Sequence, residues 1–302
     1  MSDRELKGVL PVFATPFNED ESVDDATLEK EIAFAYDCGV DGIVMAMVSE
    51  TLRLSTQERM HVAELACKYG GVRGSVIISV GAESTRNAEE FARHAQDVGA
   101  DGVMAIPPLA TALGEEELGK FYRRILDAIS IPVIVQDASG YVGQPISIEL
   151  QSQLLHEYGP TRVQYKPEAN PMGPKLTELR EGTNGQARIF EGTGGIMLVD
   201  TYRRGIIGTM PAVETVDVVV ALWNKLEAGA SDEEIYAIAE PLTSLISLLC
   251  NLDAFLTVGK YLMHKRGIFK NTIIRGPVGY HLDEETRLEV DRRYDRMMAS
   301  IA

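Results

Sequence analysis

Eight short apolar runs punctuate the first three quarters of the chain. They are Val9–Ala14, Gly42–Ala46, Ser75–Val80, Gly102–Ile106, Ile131–Gln136, Arg162–Lys166, Arg188–Glu191 and Ile206–Met210. Each falls within the four to eight residues of a buried strand. Between them the apolar positions switch to helical spacing. Leu28, Ile32, Ala35 and Tyr36 recur after the capping candidates Asp24 and Asp25, and Ala88, Phe91, Ala92 and Ala95 recur after Thr85. Two helix-to-strand junctions repeat one another: Gly39-Val40-Asp41-Gly42-Ile43 and Gly99-Ala100-Asp101-Gly102-Val103. In each, the first glycine is expected to end a helix and the following residues to open a strand.

Strands alternating with helices predict a parallel sheet with its helices outside. Eight such units fit a closed TIM (β/α)8 barrel over residues 1–228, since that fold typically takes ~250 residues. An open doubly wound sheet ranks second, because no GxGxxG follows the first strand. From Ser231 onward the pattern is helical only, at Glu233–Cys250, Asp253–Arg266 and Glu284–Ala299, with a Gly276-Pro277-Val278-Gly279 link. Residues 229–302 are therefore expected to form a C-terminal helical region packed on the barrel.

Composition narrows the function. The chain has 302 residues, 29 of them basic and 45 acidic, for a net charge of −16. Such a surface repels nucleic acid and anionic membranes. Cys38, Cys67 and Cys250 are far apart and form no CxxC pair, so they read as reduced thiols in a cytoplasmic protein. The N-terminus has no signal-peptide core, and no apolar run reaches membrane-spanning length. None of the five histidines is paired at metal-ligand spacing. Met45, Met47 and Met104 read as core packing, and Glu115–Glu117 as the solvated first turn of a helix.

In such a barrel the active site collects at the C-terminal ends of the strands. The sharpest candidate there is Val163-Gln164-Tyr165-Lys166-Pro167-Glu168. Alternation puts Gln164 and Lys166 on one face, and Glu168 joins them if it persists past Pro167. A lysine in an apolar barrel mouth is costly to charge, and the free amine is the form that attacks a ketone. A carboxylate two residues on suits a proton shuttle. The same spacing also fits a salt-bridged pair that only holds the mouth together. The glycines at Gly192–Gly195 fit an anion cradle or a plain strand-to-helix turn.

These residues, in this order, resemble the dihydrodipicolinate synthase / N-acetylneuraminate lyase superfamily of class I aldolase-type barrels. The resemblance runs from Gly8-Val9-Leu10-Pro11-Val12-Phe13-Ala14-Thr15-Pro16-Phe17 through Leu54-Ser55-Thr56-Gln57-Glu58, Gly99-Ala100-Asp101, Ile131–Val135 and the Lys166 strand to Arg275-Gly276-Pro277. It implies an imine between Lys166 and a 2-keto acid, no metal or organic cofactor, and a homotetramer or homodimer.

The departures from the family pattern redirect the expected activity. The usual Gly-Thr-Thr-Gly-Glu reads Ala46-Met47-Val48-Ser49-Glu50, and the usual tyrosines are replaced by Leu109-Ala110 and by Gln136-Asp137. Tyr141 stands where the synthase has an arginine for a second carboxylate. These losses argue against the synthase itself. The displaced carboxylate of Glu168 resembles the L-2-keto-3-deoxyarabonate dehydratase branch, which lacks the tyrosine. The expectation is a dehydratase of a 2-keto-3-deoxy sugar acid with Lys166 and Glu168 catalytic. Ser49 and Val48 would meet the substrate carboxylate. Gln136 would bond a substrate hydroxyl, with Asp137 orienting it. Gly192 and Met210, at the ends of strands seven and eight, complete the expected substrate contacts. A retro-aldol lyase releasing pyruvate, or a catalytically silent sugar-acid-binding barrel, are the alternatives.

Overall fold

The computed structural model describes residues 4–140 and 142–302; Tyr141 lies outside them. Eight parallel strands alternate with helices: β1 (Gly8–Val9), β2 (Gly42–Met45), β3 (Ser75–Ser79), β4 (Gly102–Ala105), β5 (Val133–Asp137), β6 (Val163–Pro167), β7 (Phe190–Glu191) and β8 (Gly208–Thr209). The ladders β2-β3-β4-β5-β6 and β1-β8-β7 are joined by single bridges, Val12 to Val44 on one side and Tyr165 to Ile189 on the other. The sheet closes on itself, which excludes the doubly wound alternative.

Period-2 alternation sorts the side chains into two cores. Val44, Ile77, Met104, Ile134 and Phe190 point inward with Leu6, Leu10 and Met210. Their neighbours Ile43, Val76, Val103, Val133 and Tyr165 point outward to the helices. Burying each such side chain contributes about 1.5–3 kcal/mol. The first strand is shorter than its apolar run. Pro11 has no N–H to donate, so past Val9 the pairing falls to Val12, which bridges Val44 and Ala212. The seventh and eighth strands likewise pair over only two residues each.

The repeated junctions play one structural part twice. Gly39 and Gly99 hold φ of 90° and 95°, a region open to glycine. The following aspartates then reach back to the preceding strand: Asp41 accepts from Val9 N at 2.8 Å and Asp101 from Val76 N at 2.9 Å.

The barrel helices are α1 (Asp25–Asp37), α2 (Thr56–Gly70), α3 (Thr85–Asp97), α4 (Glu115–Ala128), α5 (Ile148–Tyr158), α6 (Met172–Gly182), the short α7 (Leu198–Arg203) and α8 (Val216–Glu227). Asp24 caps α1 by accepting from Thr27 N, and Ser84, not Thr85, stands at the start of α3. Three further helices follow: α9 (Asp232–Ile246), α10 (Leu252–Lys265) and α11 (Glu284–Ala299). The first two differ from the expected spans at their ends. α9 ends at Ile246 with Ser247 at its C-cap, and Asn251 caps the next helix, accepting from Ala254 N at 2.9 Å. α9 packs against α8 and α11, whereas α10 lies over two 3-10 turns at the barrel mouth, Met47–Ser49 and Val213–Thr215.

Candidate active site

The site grows out of the β5–β6 pair. Lys166 is registered opposite Gln136, and Pro167 opposite Asp137. Tyr165 points outward and donates its hydroxyl to Gln151 O at 2.8 Å. Gln164 and Lys166 therefore point inward. Pro167 interrupts neither the ladder nor the alternation, because Glu168 N still reaches Asp137 O at 2.7 Å. The Glu168 side chain consequently returns to the face of Lys166.

There the carboxylate is gripped from two strands. Lys166 Nζ donates to Glu168 Oε1 at 2.8 Å, and Gln136 Nε2 donates to Glu168 Oε2 at 2.6 Å. Lysine and glutamate are each about 4% exposed. Gly192 closes over them: a β-carbon there would stand 2.6 Å from Lys166 Cε and 2.6 Å from Glu168 Oε1. The Gly192 loop is held by Glu191, which sequence reasoning had not singled out. Its carboxylate accepts from Thr193 N at 2.5 Å, from the Thr193 hydroxyl, and from Thr209 Oγ1 at 2.5 Å.

Above this pair opens a cavity of about 400 Å³. Val48, Gln136, Lys166, Glu168, Gly192 and Met210 all line it. Met47, read from the sequence as core packing, lines it too. Its far wall comes from α10 and the link before it, through Leu249, Leu252 and Phe255. These three carried no signal in the sequence beyond ordinary helical periodicity. Among the described residues lining the cavity, Lys166 and Glu168 are the charged ones.

Two expected substrate contacts are corrected. Ser49 is fully buried away from the cavity; its hydroxyl donates to Phe13 O at 2.5 Å and accepts from Ala46 N at 3.1 Å. It closes the 3-10 turn. Asp137 is turned outward because its neighbour Gln136 points in. Its carboxylate accepts from Ser139 N and Ile146 N, each at 3.0 Å, and so shapes the loop after β5. Tyr141, expected at the position of the synthase arginine, lies outside the described residues. Among the described residues no three His, Cys, Asp or Glu side chains converge as a metal site would.

A closed (β/α)8 barrel with a buried lysine at the mouth end of its sixth strand, hydrogen-bonded to a carboxylate, defines a lyase of the class I aldolase type. The chain belongs to the dihydrodipicolinate synthetase family, which matches residues 5–296. It is 34% identical over 150 residues to the 4-hydroxy-tetrahydrodipicolinate synthase of Methanococcoides burtonii, a match spanning 49% of this chain and 51% of that one. An uncharacterised DapA-like lyase of Pyrococcus horikoshii is 27% identical over 293 residues, covering 93% of this chain and 96% of the relative. The crystal structure of dihydrodipicolinate synthase from Rhodopseudomonas palustris superimposes with a TM-score of 0.87 at 26% identity, over 96% of this chain and 97% of that chain. No helix among the described residues is long and apolar enough to cross a membrane.

Proposed function

We propose that this protein is a Schiff-base-forming hydro-lyase that dehydrates a 2-keto-3-deoxy sugar acid, such as L-2-keto-3-deoxyarabonate to 2-oxoglutarate semialdehyde. The observation that carries this reading is the Glu168 carboxylate, 2.8 Å from Lys166 Nζ and facing the cavity. It occupies the neighbourhood of the imine, where a proton must be moved and where the family's usual tyrosine is missing from the sequence.

The reaction follows from that pair. Glu168 takes a proton from the Lys166 ammonium, and the freed amine attacks the C2 ketone. Loss of water leaves a protonated imine, an electron sink that acidifies the C3 hydrogens. Glu168 removes one of them, giving an enamine. The enamine electrons expel the C4 hydroxyl, which leaves as water with a proton from Glu168. Transfer of a proton from C5 to C3 leaves a C4–C5 enol, which ketonises by moving its hydroxyl proton to C4, and hydrolysis of the imine then releases the semialdehyde from a five-carbon substrate. Gln136, 2.6 Å from the carboxylate, keeps its oxygens aimed at the imine. The substrate carboxylate lies against the Met47–Ser49 turn, where the backbone amides of Met47 and Val48 have no acceptor within the turn. The remaining polar lining, which includes Asn170, Thr193 and Asn251, suits a neutral hydroxylated tail rather than a second carboxylate.

Incubation with 2-keto-3-deoxy sugar acids tests this directly. A semialdehyde formed without cleavage of the carbon chain is the expected product. Pyruvate plus an aldehyde would instead identify a retro-aldol lyase working through the same imine.

A further inference from the structure

The 3-10 turn Met47–Ser49 is fastened from outside the barrel. Glu50, the residue that ends it, adopts φ 55° and donates its N–H to Met47 O at 2.9 Å. Such a left-handed conformation is strained for a non-glycine residue and persists only where its surroundings impose it. Here they do. The Glu50 carboxylate is buried and forms an ion pair with Lys260 of α10, which is equally buried. Its second oxygen accepts from Arg275 N at 3.2 Å. Lys260 Nζ also donates to Ile273 O at 2.7 Å and lies 4.3 Å from the centre of the Phe17 ring.

Two more buried carboxyls flank this pair, Glu31 on α1 and Glu214 in the turn Val213–Thr215. Burial pulls the Lys260 ammonium below its ordinary value, against the opposing pull of Glu50 and Glu31. A buried ion pair is a poor source of stability, because well-packed apolar residues of the same volume do as well or better. What it supplies is a defined position. α10 also carries Leu252 and Phe255 into the cavity wall. The pair thus sets the Met47–Ser49 turn at a fixed place relative to the wall that faces it.

We propose that Lys260, acting through Glu50, is a positioning residue for the turn that receives the substrate carboxylate. It touches no reacting atom. This rests on the reading that the carboxylate meets the Met47–Val48 backbone. Loss of the pair therefore weakens capture of keto acids and spares attack on ketones that have no carboxylate.

The test is borohydride trapping at Lys166, followed by intact mass, with pyruvate and with hydroxyacetone as probes. In Lys260→Met the half-saturating pyruvate concentration should rise ~10-fold or more, while that of hydroxyacetone stays within about twofold. Glu50→Gln, which keeps a hydrogen-bonding group beside Lys260, is the companion variant should Lys260→Met fail to fold, and it should shift pyruvate in the same direction. Equal losses for both probes would reduce Lys260 to general structure and overturn the proposal. An unchanged preference for pyruvate in either folded variant would overturn it as well. A wild-type protein that traps hydroxyacetone as readily as pyruvate would instead sink the carboxylate-turn reading, and this proposal with it.

Discussion

Gly192 and Lys166 are packed so closely that the loop after β7 leaves no room for a side chain: a β-carbon would stand 2.6 Å from Lys166 Cε. The same atom would press on Glu168 Oε1. The glycine therefore fixes where the lysine and its carboxylate partner can lie. Gly192→Ala should keep the barrel folded, because Glu191 still holds the loop through Thr193 and Thr209. It should slow imine trapping ~100-fold, the usual penalty for misplacing a reacting group by about an ångström. Trapping at the wild-type rate would mean that the lysine has freedom the packing denies it.

Glu168→Gln weighs imine formation against the chemistry that follows. The amide retains a hydrogen-bonding partner for Lys166 and Gln136 but accepts neither the ammonium proton nor the C3 proton. The borohydride adduct at Lys166 should still accumulate, more slowly than in the wild type because solvent must take the ammonium proton, and turnover should fall further, by ~100-fold or more. A fully active variant would put the proton shuttle on another group.

Glu214 makes a prediction about stability and pH. Its burial, opposed by its own backbone hydrogen bond and by Arg266, pushes the carboxyl up from 4.5 to about 7. A carboxyl raised in this way binds its proton more tightly in the folded chain than in the unfolded one. The stabilisation is complete below pH 4.5 and is lost as the pH rises to about 7. Wild-type stability from this group should therefore fall as the pH rises from 4.5 to about 7, by roughly 3 kcal/mol for a shift of that size. Glu31, also raised by burial, adds in the same direction. Glu214→Gln keeps the shape and removes the titration, so its melting temperature should decline less over the same interval. Parallel melting profiles for the two proteins would show that Glu214 is already ionised throughout.

Much of the site was legible because strand alternation is a local property. The period of two along Val163–Lys166 is enough to aim Lys166 inward once Tyr165 is recognised as an outward residue. The repeated Gly-x-Asp-Gly junction likewise announced the unit length of the barrel. The same alternation, applied to Gln136 and Asp137, should have set Asp137 aside: two neighbours on one strand cannot both face the cavity. Ser49 is a different kind of miss. Nothing local distinguishes a hydroxyl aimed at a ligand from one that closes a turn onto Phe13 O.

The sequence by itself determined the order and number of the strands, the inward face of β6 and the presence of an amine and a carboxylate two residues apart. These follow from short-range sterics, in which each residue constrains its immediate neighbours. Only the tertiary structure decided that Glu168 is shared between Lys166 and Gln136, that Glu191 clamps the Gly192 loop, and that Lys260 reaches from α10 to Glu50. The contacts Gln136–Glu168, Thr209–Glu191 and Lys260–Glu50 join residues far apart in the chain. They exist because burial brings particular surfaces together and leaves their polar groups no water to bond, so each must find its partner where the packing puts it.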